Sequence, residues 1–379
     1  MPLLYDAVAV GMWAYSRSAF RVRTLGRERL CLEPGTLIVS AHRRETDVPL
    51  VCPSIYFGPG GLLTDRSRRM SFAGREDMFV PGFLAGFPPG LPLRLRRLLF
   101  PLGIDPYLRS LTLFPIRSAT VVRLEEVFRR LPQLELADAL PPADLGALRK
   151  RALEVGLPEP RLATEVVRGE YADLLWRSHA RDELDAPALE PVWSQRASDA
   201  VRDFRELVDV VSRGAILLIF PEGRPSPDGE IGPLQRGLAS LVRRAKPSAL
   251  QPVGLAYDPL VRGRTHAFVS LGEPLDPPQE AFEETMLSAL RLATPLTCGQ
   301  VVASWIRSGR HGSAGAVLEA EIERAVAEGR NVDPELLEPQ NRQRRLRLAL
   351  ASADALPDGD PGLAFLAREH ESARALSRS

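Results

Sequence analysis

His42 and Asp47 stand five residues apart in IVSAHRRETDVPLV, residues 38–51, just behind a short apolar run. A neutral imidazole can take a proton from a hydroxyl at physiological pH, and a carboxylate on its other nitrogen fixes the tautomer and stabilises the imidazolium that forms. By spacing alone, a helix-capping aspartate beside an unrelated histidine reads as well. A second stretch, LLIFPEGRPSPDG at 217–229, runs an apolar segment straight into Glu222, Gly223 and Arg224. That puts an acid, a flexible backbone amide and a cation at a strand's C-terminal edge, where open α/β sheets bind ligands. A guanidinium there can grip phosphate or carboxylate, and Glu222 can orient that arginine or a substrate hydroxyl. Taken singly, a tight turn with a surface salt bridge explains this stretch too. In SLTLFPIRSAT, residues 110–120, Arg117 follows another apolar run, and on its own it reads as a solvated charge.

Elements able to position these residues are visible as four short apolar runs, each followed by turn signals: 36–42, 215–223, 249–259 and 266–275. Their brevity and β-branched content suit buried strands. Helical patterns lie between them, among them SDAVRDFRELVDVVSRG, which ends on Gly214 as a helix C-cap should. Strands alternating with helices predict an α/β layered domain. Residues 132–198 break this rhythm, being charged, rich in Ala, Leu and Pro and without strand-like runs, and read as a helical insertion. The chain turns helical again from about 278, with a polar, Arg-rich and loosely ordered tail from about Pro339. The expected organisation is an N-terminal amphipathic helix over 1–29, a main domain over 30–277 carrying the insertion, and an accessory helical region over 278–379.

With 379 residues, 45% of them hydrophobic, the chain can bury a large core. Its 49 basic residues against 48 acidic leave a formal charge of +1, so no overall field points to nucleic acid as a partner. Cys31, Cys52 and Cys298 lie far apart, without the spacing of a disulfide framework or a zinc site, and no metal is expected. Near the N-terminus Leu4, Val8, Met12 and Tyr15 recur at helical spacing, while Asp6 and Arg17 break the apolar stretch too early for a bilayer span. Core packing and interfacial binding both fit that stripe. Residues 86–111 interleave Arg94, Arg96, Arg97 and Arg109 with leucines and Phe100, a composition suited to anionic lipid headgroups above an apolar floor.

Taken in order, HRRETD, LFPIR, FPEGRPS and LQPVGLAY resemble the four blocks of the glycerolipid acyltransferases, whose best-known members are 1-acylglycerol-3-phosphate acyltransferases of the PlsC type. MSFAGREDMFVPGFL at 70–84 resembles the family segment that carries a basic residue after the first block, here Arg75. The resemblance implies a mixed sheet flanked by helices, with His42 as the general base for the acceptor hydroxyl and Asp47 as its orienting partner. It further implies that Arg75, Arg117, Glu222, Gly223 and Arg224 bind the acceptor. No cofactor is implied beyond acyl-CoA or acyl-carrier protein as co-substrate, and the acceptor is a glycerophosphate-type lipid at a membrane surface. A peripheral position on the cytoplasmic face of the membrane follows from those substrates. The third block departs from FPEGTRS: Arg224 stands at the threonine position and Pro225 where the arginine usually sits. The second block lacks its usual glycine and acidic residue. Two alternatives stay open: acylation of glycerol 3-phosphate or a glycolipid hydroxyl, and a non-catalytic lipid-binding or scaffold role.

Overall fold

The computed structural model describes residues 2–58, 68–86, 91–184, 186–278 and 280–374. It divides into two compact units, one of residues 1–72 with 208–379 and one of residues 73–207. The strands along the chain are β1 (Arg21–Leu25), β2 (Leu37–Ser40), β3 (Met70–Arg75), β4 (Leu113–Ile116), β5 (Val121–Arg123), β6 (Ser178–Ala180), β7 (Ile216–Ile219), β8 (Leu250–Asp258) and β9 (His266–Leu271).

In the first unit the strand order is β1-β9-β8-β2-β7-β3. β2 lies between parallel β7 and parallel β8, with Leu37 opposite both Leu217 and Leu250, while β8 and β9 are antiparallel. The sheet is therefore mixed, and helices flank it. LIVS of β2 and ILLI of β7 are buried at every position, as parallel strands covered on both faces must be. Helix Asp47–Tyr56 adds Leu50, Val51 and Ile55 to a core shared with Ile38, Leu218 and Val253. The four apolar runs become β2, β7, β8 and β9.

Helix Pro2–Ala19 is fixed to the sheet by Tyr5, whose hydroxyl accepts from the Met70 amide at 3.0 Å. Its buried line runs through Tyr5, Ala9 and Ser16. In the expected stripe Leu4, Val8 and Met12 are only half-buried and Tyr15 is exposed, while Leu3, Ala7, Val10, Gly11 and Ala14 form an exposed apolar face. No helix among the described residues is long and apolar enough to cross a membrane.

The region from 278 is helical among the described residues, and its polar end from about Pro339, expected to be loosely ordered, is helical as well. Residues Pro339–Asp354 and Pro361–Arg374 are helices, packed with Cys298–Arg307 and Ala314–Ala327 around Leu296, Val302, Leu318, Ala349 and Leu366. Their polar residues are paired inside: buried Arg345 donates to Asp258 at 2.8 Å, and buried His370 faces Glu321 at 3.3 Å. Residues 375–379 lie outside the described residues.

The second unit contains the whole of the expected insertion and has its own core, with Val122, Phe128, Leu148, Tyr171 and Trp193 buried. Antiparallel β5 and β6 and the helices Leu124–Arg130 and Pro142–Glu154 build it. Arg196 is almost wholly buried there and bridges Glu76 and Glu126.

Candidate active site

Three neighbouring parallel strands, β7, β2 and β8, end on the same side of the sheet, and each delivers one part of a hydrogen-bonded cluster. From the turn after β2, His42 Nδ1 lies 2.8 Å from Asp47 Oδ2. A carboxylate only accepts, so Nδ1 carries the proton and Nε2 is the basic atom. Among the described residues no group hydrogen-bonds Nε2, and the His42 side chain is 13% exposed. The ring rests on Phe220, its centroid 4.6 Å away.

Asp47 is fully buried and holds four donors. Oδ2 accepts from His42 and from the backbone amides of Arg43 (2.5 Å) and Arg44 (2.9 Å), and Oδ1 accepts from the Tyr257 hydroxyl at 2.5 Å. These are the amides of the loop before the helix, so Asp47 does not act as an ordinary helix cap; it curls the loop back onto itself. Standing in the first turn of Asp47–Tyr56, its charge also meets the positive end of the helix dipole. Burial, then the neighbouring Asp47 charge, push the Tyr257 hydroxyl far above its ordinary pKa, so it remains a donor. The Arg44 guanidinium lies over the Tyr257 ring at 4.4 Å.

Glu222 enters from the turn after β7. Its Oε1 accepts the His42 amide at 2.8 Å and its Oε2 the Gly232 amide at 3.1 Å. Both oxygens serve backbone, so the carboxylate braces the His42 peptide, and Arg224 is not among its partners. Burial raises its pKa and those two amides pull it back. Gly223 sits at φ +73°, and its amide donates to Phe220 O at 3.1 Å, closing the turn. That amide is not available to a substrate. Arg224 is exposed and, among the described residues, forms no ion pair.

Arg75 and Arg117 belong to the second unit. Arg75 donates to both carboxylate oxygens of Asp77, at 3.2 and 2.7 Å. Arg117 faces three carboxylates, Glu76 and Asp199 at 3.7 Å and Asp203 at 3.5 Å. A cavity of about 190 Å³ lies beside it, lined by Glu76, Glu126, Arg123 and Arg130 among others. Burial raises the pKa of Glu76 and Asp203. In the stretch 86–111, whose residues 87–90 lie outside the described residues, Arg96 pairs with Asp173, Arg97 with Glu170 and Arg109 with Asp105.

Sequence reasoning brought out His42, Asp47 and Glu222 but missed Tyr257, although the fourth block ends on it. It also assigned nothing to Arg43. His266, Asp333 and Glu335 converge closely enough to hold a metal ion, yet Arg23 and Arg345 already pair with both carboxylates.

No curated protein matches the chain. Among solved structures it is similar to the 1-acyl-sn-glycerophosphate acyltransferase PlsC from Thermotoga maritima, at 15% identity over 76% of this chain and 78% of that one, with a TM-score of 0.37. Residues 185–256 match the family model described as Acyltransferase. That segment contains β7, the Glu222 turn and most of β8.

Proposed function

We propose that the chain moves a fatty acyl group from a thioester, acyl-CoA or acyl-carrier protein, to a hydroxyl of a glycerophosphate-type lipid, with His42 as general base. The observation that carries this is the open Nε2 of His42, held at the end of β2 by the Nδ1 bond to Asp47. Nε2 takes the proton of the acceptor hydroxyl as its oxygen attacks the thioester carbonyl carbon. Collapse of the tetrahedral adduct breaks the C–S bond, and the imidazolium returns its proton to the leaving thiolate. Asp47 stabilises the imidazolium between those two moments. No protein nucleophile is required.

The decisive experiment supplies purified chain with acyl-CoA or acyl-carrier protein and a panel of lyso-lipids and reads release of free thiol. His42→Ala is expected to lower kcat by about 10²–10⁴-fold while circular dichroism stays unchanged. Full activity in that variant, or no thiol release by the wild type with any acceptor, removes the proposal.

One observation favours a non-phosphorylated acceptor as a second reading. Arg117, the expected phosphate ligand, faces Glu76, Asp199 and Asp203, carboxylates that a phosphate would have to displace. Exposed Arg224 is then a cation open to an anionic acceptor. Arg224→Ala is expected to raise KM for a phosphorylated acceptor by roughly tenfold and to leave a neutral one unaffected. Equal effects on both remove it as a phosphate ligand. For membrane contact, support comes from the exposed apolar face of helix Pro2–Ala19 more than from residues 86–111, where Arg96, Arg97 and Arg109 are held in ion pairs. A peripheral position on the cytoplasmic face is part of the same proposal.

A further inference from the structure

The loops that hold His42 and Glu222 both rest on the last helix, Pro361–Arg374, which lies outside the matched acyltransferase segment. Arg43 makes the central contact. Its Nη1 donates to Gly229 O at 2.8 Å, and its Nε stands 3.2 Å from Glu369 Oε1, with side-chain exposures of 1% and 0%. The other Glu369 oxygen accepts from Gln300 Nε2 at 2.7 Å. Gly229, at φ +93°, approaches the same helix so closely that a Cβ there would lie 2.3 Å from Phe365 O. On either side Arg368 holds Asp228 at 2.9 Å, and the Ile231 amide donates to Ser372 Oγ at 3.4 Å.

A buried guanidinium–carboxylate pair is poor evidence of stabilisation, because desolvating both charges offsets most of their attraction. Its place in the chain supplies a reason for it. Arg43 follows His42 directly, and its backbone amide is one of the donors that Asp47 Oδ2 receives. The residue is held at its guanidinium by Glu369 and at its amide by Asp47.

We infer that Glu369 is a positioning residue for His42: by fixing the Arg43 side chain, the last helix fixes the amide that aims Asp47, and through Asp47 the imidazole. This rests on the reading of His42 as general base. The test compares Glu369→Gln, nearly isosteric but uncharged, with Arg23→Met, which breaks another pair with the helical region, that of edge strand β1 with buried Asp333. Glu369→Gln is expected to lower kcat by about 10–100-fold with KM nearly unchanged, as slight misplacement of a reacting group does. Arg23→Met is expected to lower Tm but leave kcat of the folded fraction unchanged. Arg43→Lys keeps the charge without the fork that reaches Gly229 and Glu369, and should reproduce the kcat loss if Glu369→Gln does not fold. A readout without substrate is the His42 Nδ1 proton in nuclear magnetic resonance, whose hydrogen-bonded signal should shift in Glu369→Gln and stay in place in Arg23→Met. An unmoved signal, or equal kcat losses in Glu369→Gln and Arg23→Met, overturns the inference. A shifted signal in a protein that releases no thiol upholds the positioning and removes the acyl-transfer reading alone.

Discussion

Tyr257 shows how one hydroxyl serves the whole cluster. It is buried, stays protonated and gives Asp47 Oδ1 its only donor among the described residues, while Oδ2 receives three. Without it, a buried carboxylate oxygen is left unsatisfied, at a cost of ~1–3 kcal/mol, and the carboxylate is free to turn away from Nδ1. Tyr257→Phe is therefore expected to lower kcat for thiol release by about tenfold with KM unchanged, read by steady-state kinetics on the folded protein. The ease of finding these residues in the sequence follows distance along the chain. His42 and Asp47 declare themselves because five positions separate them. Tyr257 and Glu369 reach the same cluster from remote segments, and nothing local in AYDP or REHES marks them as partners of a loop near residue 42.

Among the elements, apolar runs were legible and paired charges were not. β2, β7, β8 and β9 could be read from hydrophobicity alone because they are buried throughout. β1 escaped notice because RVRTL at the sheet edge buries only Val22. Only the last two helices, Pro339–Asp354 and Pro361–Arg374, were misread, as a loose tail, and for a related reason: sequence polarity signals solvent unless the partner is known, and Arg345 and Glu369 find theirs far along the chain. Close approach of helix and sheet gives a prediction of its own. Gly254, in the middle of β8, lies where a Cβ would stand 2.2 Å from Ala293 O, at the end of helix Phe282–Ala293. Gly254→Ala must separate helix from strand, at a cost of ~1–3 kcal/mol, and should lower Tm by about 5 °C in a thermal melt.

At the scale of the molecule, buried histidines contribute to the response to acid. Burial, aided by Arg345, Arg23 and Arg21 and opposed by Glu335, lowers the His266 pKa to about 4. Burial also lowers that of His370 in spite of Glu321. The unfolded chain takes up a proton near pH ~6.5, whereas folded His266 takes one only near 4, so unfolding gains protons across that window and stability falls as pH drops through it. Urea titrations at pH 7 and 5 should show a loss approaching ~1.4 kcal/mol per pH unit for His266, and His266→Gln should flatten that slope. The order in which the sheet is made has a consequence for biosynthesis. β2 is synthesised early, but both of its neighbours, β7 and β8, lie beyond residue 215, after the entire second unit. Until they emerge from the ribosome, LIVS is an apolar segment with neither edge hydrogen-bonded in its native register, the kind of exposed strand through which nascent chains aggregate. Any truncation before β7 leaves that exposure permanent.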